Sequence, residues 1–285
     1  MIKHSLIQSK TIIQQGFTLI ELVLVIVLLG VISVGISGFI GLSTQTYMNV
    51  SERDELINNA RFVIERLNRE LRNAVPNSVR VSDLSGIQCM DFVPISTSTI
   101  YTNIPVAPET ASNQVTVIPF KAEDGVSDYS CSSCLDLVIV YPNDTASIYD
   151  NHNDTTGRVF NLSDFSPPTT LNDEWTLSIA NGAVLFDRDS PTQRLYIANE
   201  QVSYCVFANK IYRYRNNIGG SQTLPPRARP VLMAEYLADI DNTDLPFTVL
   251  PATLQRNAVV QIKLHFLRNN EDIVFENEIH IKNTL

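Results

Sequence analysis

The sequence predicts an α+β fold in which one long amino-terminal helix packs on a β-rich, antiparallel carboxy-terminal head. An apolar run that begins at Phe17 continues into a segment whose apolar residues recur every three or four positions, the spacing of one helix face. After Pro76 the pattern changes to short alternating runs separated by Asn, Asp, Ser, Thr and Pro, which is typical of strands and turns. With 285 residues, 44% of them hydrophobic, the chain can bury a sizeable core.

The first half of the predicted helix, residues 17–42, is apolar on every side. At about 1.5 Å per residue it is long enough to cross a hydrocarbon layer of about 30 Å. Glu21 is the only Asp, Glu, Lys or Arg between Thr11 and Val50. Because a carboxylate in hydrocarbon costs about 2.5 to 3.5 kcal/mol and usually faces a partner, Glu21 is expected to have one.

The residues before this run differ from an ordinary secretory signal, in which the small cleavage-site residue follows the apolar core. Residues 1–16 are polar, and the small residue Gly16 precedes the apolar run. A cut after Gly16 keeps the hydrophobic helix on the mature chain and, because Lys3 and Lys10 are lost, lowers the formal net charge from −9 to −11 before the new amine is counted. Those lysines also predict, by the positive-inside rule, a cytoplasmic amino terminus and an exported head.

The stretch "GFTLIELVLVIVLLG", residues 16–30, resembles the signal of type IV pilins and type II secretion pseudopilins. In that signal a short basic leader ends in Gly and is followed by Phe and by Glu as fifth residue of the mature chain. The resemblance implies that residues 1–16 are a leader, that a prepilin peptidase cuts after Gly16 and methylates the amine of Phe17, and that Glu21 pairs with the amino terminus of a neighbouring subunit. In a low-dielectric filament core the two charges would compensate each other. The alternative is an uncleaved signal anchor whose Glu21 lies near the membrane interface or is protonated.

The second half of the helix, residues 43–75, is predicted to be amphipathic. Ser51 and the acidic residues after it supply a start signal for this half, and Pro76 ends the helix. One apolar stripe is formed by Leu56, Ala60, Val63, Leu67, Leu71 and Ala74. The stripe needs a partner layer, which the β-rich head of residues 76–285 would supply.

Two hairpins are predicted in the head. The stretch "VSYCVFANKIYRYR" pairs residues 202–207 with 211–215 around a tight Ala-Asn-Lys turn. Near the end, alternating apolar residues of 260–266 pair with those of 273–281 across "RNNED". The regions between are richer in loops, with weak strands such as "QVTVIPF" and "TLSIA".

The helix "RFVIERLNRELRNAVPNSVRV", the first hairpin and "RNAVVQIKLHF" resemble large minor pilins, particularly J-type pseudopilins and most closely minor pilins of MSHA-type pili. This resemblance implies the pilin architecture, a single inner-membrane helix with a periplasmic head, and a later position near the filament tip at the cell surface. The implied partners are the prepilin peptidase, other minor pilins, the major pilin and the inner-membrane assembly platform. A J-like subunit of a type II secretion system and a tip adhesin or ligand-binding module are the alternatives.

All four cysteines, Cys89, Cys131, Cys134 and Cys205, follow the apolar segment. In an exported head an even number predicts two disulfides, and four cysteines allow three pairings that the sequence does not separate. The stretch "CSSC" is also compatible with a thioredoxin-like redox pair or half of a zinc site. Its position in a Ser-rich loop before a strand favours a structural disulfide.

No catalytic motif is found, which indicates a protein that is not an enzyme. The net charge of −9 argues against nonspecific nucleic-acid binding, although "YRYR" mixes aromatic and basic residues. Two acidic loops offer carboxylates to calcium, but neither matches a complete EF-hand loop, so we expect solvated loops and no cofactor. Their candidate ligands are Asp150 and Asp154 in "DNHND", and Asp239, Asp241 and Asp244 in "ADIDNTD".

Overall fold

The computed structural model describes residues 16–150, 152–168, 174–220, 224–240, 244–252, 257–269 and 271–281. A single long helix, α1 (Leu19–Arg72), is followed by antiparallel sheets, which confirms the predicted α+β class. The chain divides after Asp54 into two compact units. The apolar half of α1 and residues 43–54 of the amphipathic half belong to the first unit, and residues 55–72, which carry the buried stripe, belong to the second.

The strands of the head are mostly short. The elements that follow α1 are, in chain order, β1 (Arg80–Leu84), β2 (Ile87–Phe92), β3 (Thr97–Asn103), β4 (Gln114–Val117), β5 (Leu137–Val140), α2 (Ala146–Tyr149), β6 (Thr156–Gly157), β7 (Val159–Asn161) and β8 (Trp175–Ser178). They continue with β9 (Leu185–Phe186), β10 (Arg194–Ala198), β11 (Gln201–Phe207), β12 (Lys210–Asn216), β13 (Val231–Glu235), β14 (Phe247–Leu250), β15 (Ala258–Arg268) and β16 (Glu271–Ile281).

Three antiparallel sheets contain all of these strands except β6 and β9, which form a short parallel pair. The five-stranded sheet has the order β1-β2-β11-β12-β13, the six-stranded sheet β7-β5-β10-β3-β4-β8, and the three-stranded sheet β14-β15-β16. The buried side chain of Gln88 joins β2 to β14, because its amide accepts from the Phe247 N–H (2.8 Å) and donates to the Phe247 carbonyl (3.0 Å). The five-stranded and three-stranded sheets are thereby held together.

The amphipathic half of α1 packs on these two sheets. The predicted stripe is confirmed, since the buried residues of α1 are Leu56, Ala60, Val63, Leu67 and Leu71. They share one core with residues such as Met90, Tyr204, Val260 and Phe266. The helix ends three residues before the predicted boundary because the chain then pairs with the segment after β2: the Val75 N–H donates to the Val93 carbonyl, and the Ile95 N–H to the Asn73 carbonyl, each at 2.8 Å.

Both predicted hairpins are present. In the first, Phe207 pairs with Lys210, so the loop is only Ala208 and Asn209, with φ angles of 49° and 59° that fit a type I′ turn. In the second, β15 and β16 turn their alternating apolar residues towards α1. One polar residue interrupts that inner face: the Asn277 amide donates to the Asn68 side chain of α1 at 3.2 Å.

The six-stranded sheet covers a second core, and two of its strands, β4 and β8, lie on the predicted weak strands "QVTVIPF" and "TLSIA". At one end of this core lies an aromatic cluster, which we define as Phe120, Tyr129, Phe165 and Trp175. The centroid of the Trp175 ring lies 5.6 Å from that of Phe120 and 5.5 Å from that of Phe165, and all four side chains are buried. The tryptophan is the only one in the sequence and therefore reports on this region.

A carboxylate near the end of α1 attaches the helix to the five-stranded sheet. Glu70 accepts hydrogen bonds from Arg66 (2.9 Å), from Arg213 of β12 (3.0 Å) and from the Tyr204 hydroxyl of β11 (3.0 Å). Burial disfavours the charged carboxylate, but the hydrogen bonds from Arg66, Arg213 and Tyr204 outweigh it and hold the pKa of Glu70 below its ordinary value. The Glu70 side chain is 17% exposed and that of Arg213 is 9% exposed, so solvent screens this pair only weakly.

We expect Glu70→Gln to reduce the free energy of unfolding by about 3 kcal/mol at pH 7, since it leaves Arg213 poorly compensated. A carboxyl group with a lowered pKa in the folded state stabilises the fold above its unfolded pKa, about 4.3 for Glu, and loses this contribution as pH falls through the folded value. The difference between the natural chain and the variant should therefore shrink below about pH 4. Urea unfolding across this pH range measures it.

Glu65→Gln is the matched control, because Glu65 lies exposed on the same helix and has no ion pair among the described residues. It should change the free energy of unfolding by less than about 0.5 kcal/mol. An equal loss in both variants, or a Glu70→Gln effect that does not change with pH, would contradict the proposed role of the charge.

Candidate assembly site

The amino-terminal segment begins with three residues outside the helix. Gly16, Phe17 and Thr18 precede α1, and the Phe17 side chain is 78% exposed. The predicted leader residues 1–15, with Lys3 and Lys10, lie outside the described residues. The predicted cleavage junction between Gly16 and Phe17 is therefore in an exposed, non-helical segment, which is the conformation that a peptidase needs.

Thr18 and Glu21 form the beginning of α1. The Glu21 N–H lies 3.4 Å from the Thr18 hydroxyl oxygen, and that hydroxyl lies 3.5 Å from the Glu21 carboxylate. The spacing Thr-x-x-Glu is that of a capping box, although both contacts are at the long limit of hydrogen bonding. Sequence reasoning missed Thr18, and the Thr-x-x-Glu spacing is the signal that could have found it.

Glu21 has no ion pair within the part of the chain that the structure describes. Its side chain is exposed, as is every residue from Gly16 to Val50. The carboxylate thus has a weak local contact with Thr18, but no compensating positive charge comes from the described residues between 16 and 281. Among the described residues, therefore, none supplies a cation for Glu21.

The apolar half of α1 presents an exposed hydrophobic surface on all sides. Exposure of its large side chains ranges from 42% at Val25 to 83% at Leu19. Among the described residues, α1 is the one helix that is long and apolar enough to cross a membrane. Buried core helices and signal sequences pass the same length test, but a core helix is excluded here by the exposure. Such a surface requires lipid or other helices around it.

The four cysteines form two disulfides. Cys89 on β2 is bonded to Cys205, which lies directly opposite on β11 with the Cα atoms 4.0 Å apart. Cys131 is bonded to Cys134 in the loop before β5. Of the three pairings that the sequence left open, the structure adopts this one.

The first acidic loop contributes to a cavity of about 280 Å³ that contains an arginine. Asp150, Asp154 and Asp187 all line it. The Arg158 guanidinium also lines it and pairs with Asp187 at 3.4 Å. This cation already supplies positive charge where a calcium ion would be needed.

The second acidic loop contributes to a smaller cavity, of about 170 Å³. Asp239 and Asp244 line it, whereas Asp241 lies outside the described residues. The Lys263 ammonium is 2.9 Å from Asp244, and the Asn209 amide donates to Asp239 at 3.0 Å. Both carboxylates are therefore engaged by nitrogen donors, and the expectation that neither loop holds a cofactor stays untested.

A comparison with protein families matches residues 13–37 to the prokaryotic N-terminal methylation motif. The match includes the cleavage junction, Thr18, Glu21 and the first part of the apolar helix. No curated protein and no solved structure matched the chain significantly. The motif makes this end of the chain type IV pilin-like and implies processing by a prepilin peptidase and assembly into a pilus; it points to a structural subunit rather than an enzyme.

Proposed function

We propose that this protein is a minor, initiation-type subunit of an MSHA-type type IV pilus, of the MshO kind, and that it sits near the filament tip. The observation that carries the proposal is Glu21, a carboxylate without an ion pair in the described chain, placed four residues after a methylation-motif junction in an exposed apolar helix. The amine of Phe17 on a neighbouring subunit is its natural partner, since each charge would be costly alone in a filament core.

The size of the head supports a tip position. The described residues after 76 build three antiparallel sheets and a short parallel strand pair and contribute to two large cores, in contrast to the compact single head that a repeating shaft subunit needs. A tip subunit has no neighbour above it, so a bulky head is tolerated there. Surface attachment through the loops of this head is part of the proposal, and a binding screen with glycans and surfaces tests it.

A J-like pseudopilin of a type II secretion system would use the same helix and the same processing. The two functions differ in what is lost when the gene is deleted: surface pili in one case and secreted enzymes in the other. Both place the amino terminus in the cytoplasm, the head in the periplasm and the helix in the inner membrane. Neither requires a cofactor, and chelation of calcium is expected to leave assembly unchanged.

The experiment that tests the proposal is intact mass and amino-terminal sequencing of the protein from membranes, with and without prepilin peptidase. The expected product begins at N-methylated Phe17 only when the peptidase is present. Gly16→Val should retain its leader because the side chain blocks the cleavage site, whereas Gly30→Val, in the same apolar segment, should be cleaved normally. A natural chain that still begins at Met1, or that is cut after the apolar helix, would overturn the proposal.

A further inference from the structure

The two disulfides differ in how much chain they constrain. Cys89 and Cys205 are 116 positions apart and fully buried. Cys131 and Cys134 are three positions apart in a half-buried loop. Closing such a short loop removes little conformational entropy from the unfolded chain. The second pair therefore contributes much less to stability, and its place in the fold calls for a different explanation.

Hydrogen bonds, besides the disulfide, hold the loop that carries this pair, including one from the Ser133 N–H to the Asp164 carboxylate at 2.6 Å. Cys131 and Phe165 exchange N–H donors and carbonyl acceptors, both at 2.9 Å. On the other side of the pair, two residues after Cys134, the Asp136 carbonyl accepts from the Leu162 N–H at 2.8 Å. Because these bonds flank both sulfur atoms, Cys131 and Cys134 stay close together when the bond between them is absent.

A third metal-ligating group lies beside the two sulfur atoms. One carboxylate oxygen of Asp136 and the sulfur atoms of Cys131 and Cys134 all lie within 4.8 Å of one another. Asp136 is only 8% exposed, and the Tyr129 hydroxyl donates to its Oδ2 at 2.6 Å. A buried tyrosine thus fixes the orientation of the carboxylate. Metal-bound carboxylates in proteins are oriented by hydrogen-bond partners in the same way.

The surroundings of the sulfur atoms are negative. The Ser163 carbonyl oxygen lies 3.5 Å from Cys131 Sγ and 3.9 Å from Cys134 Sγ. Its partial negative charge adds to the negative charge of the Asp136 carboxylate. A disulfide sulfur carries no proton, so these contacts are not hydrogen bonds. Redox-catalytic thiols need positive surroundings that stabilise the thiolate, whereas the described contacts of these two sulfur atoms are with carbonyl oxygens. A negative site with two sulfurs and a carboxylate instead favours a cation.

We propose that the reduced form of this loop is a Zn²⁺ site made by Cys131, Cys134 and Asp136. Two thiolates and one carboxylate supply three ligands of the tetrahedral set that zinc prefers, and water takes the fourth position. The oxygen ligand favours Zn²⁺ over Cu⁺, which prefers sulfur alone. A dithiol donor gives two electrons and two protons to the disulfide, breaks its S–S bond and becomes a disulfide itself. Zn²⁺ then displaces the two thiol protons to solvent, so that the disulfide and zinc forms exclude each other.

The test uses the full chain in detergent, reduced by a mild dithiol. Reduction is stopped when alkylation and mass spectrometry show that Cys131 and Cys134 are free thiols and that the buried Cys89–Cys205 bond is intact. The reduced chain should bind one Zn²⁺, measured by competition with a chromophoric chelator, and should bind Co²⁺ with the strong visible absorption of tetrahedral thiolate complexes. The oxidised chain should bind neither ion.

Variants identify the ligands. Cys131→Ser with Cys134→Ser should abolish binding, and Asp136→Asn and Tyr129→Phe should each weaken it by at least about tenfold. Asp128→Asn, an exposed carboxylate on the same loop that pairs with Lys121, is the matched control and should bind like the natural chain. Unchanged Trp175 fluorescence identifies variants that remain folded. No binding by the reduced natural chain would overturn the proposal, as would unchanged affinity in folded Asp136→Asn.

Discussion

Glu21→Ala is expected to be cleaved and methylated like the natural chain and yet to fail to support piliation. The peptidase acts at Gly16 and Phe17, which the substitution leaves unchanged, so the mature mass should differ only by the altered side chain. In the filament the variant would leave the amine of a neighbouring Phe17 without its counter-charge, at a cost of about 3 to 5 kcal/mol if the site is dry. Intact mass, the amount of this subunit in sheared pili and pilus counts by electron microscopy measure the two effects separately.

The structure also gives Glu21 a local contact with Thr18, and this contact supplies the control. Loss of a helix cap costs about 1 kcal/mol, and a helix of 54 residues held in lipid tolerates it. Thr18→Val removes the capping hydroxyl and keeps the carboxylate, so it should assemble. Glu21→Gln keeps the shape and removes the charge, so it should fail like Glu21→Ala. Normal piliation by either Glu21 variant would contradict the proposed role of the Glu21 charge in assembly. If Thr18→Val failed to the same extent, the loss of piliation would be due to the helix cap.

The helix could be predicted almost completely because its signal is local. Leu56, Val63 and Leu71 recur at helical spacing, and Pro76 limits the helix, so no knowledge of the head is needed to identify the buried face. The predicted helix begins two residues too early, at Phe17 instead of Leu19, and ends three residues too late. The pairing of Val75 with Val93 ends the helix at Arg72, and that pairing depends on the fold of the head.

Two strands of the six-stranded sheet, β4 and β8, lie on the predicted weak strands "QVTVIPF" and "TLSIA", but the whole sheet could not be predicted because β5 and β10 lack alternation. All four residues of β5, Leu137–Val140, are buried, and so are four of the five residues of β10, Arg194–Ala198. Strands buried on both faces read as short apolar runs, which do not distinguish a strand from a buried turn. The neighbours of β10 are β3 and β5, which lie far away in the sequence, so no turn signal marks the pairing.

The methylation motif could be recognised in the sequence and the cysteine pairing could not, for the same reason. Gly16, Phe17 and Glu21 lie within six consecutive residues, so one stretch of sequence contains the whole pattern. Cys89 meets Cys205 only because β2 and β11 pair in one particular register. A shift of that register by one residue would place the two side chains on opposite faces of the sheet. The fold therefore determines the disulfide connectivity, which cannot be predicted from the positions of the cysteines in the sequence.

Removal of the buried disulfide, by Cys89→Ala with Cys205→Ala, should cause the largest loss of stability among the changes considered. In the loop-closure account a crosslink across about 100 residues contributes about 4.7 kcal/mol, which corresponds to a fall in melting temperature of about 10 to 20 °C for a head of this size. The bond also lies in the middle of the five-stranded sheet, with both sulfurs buried, so no solvent replaces the lost contacts. Thermal and urea unfolding of the full chain in detergent measure the change.

Cys131→Ala with Cys134→Ala is the matched comparison, because it also removes one disulfide and two sulfur atoms. Its closed loop spans only three positions, for which the same account gives about 2 kcal/mol or less, and the main-chain bonds to Phe165 and Leu162 still hold the loop. A clearly larger loss of stability in Cys89→Ala with Cys205→Ala would show that the buried bond stabilises the head by restricting the conformations of its unfolded chain. Equal losses would mean that local packing around the sulfur atoms, and not loop length, determines what each bond contributes, and the Cys131–Cys134 pair would then need no role beyond stability.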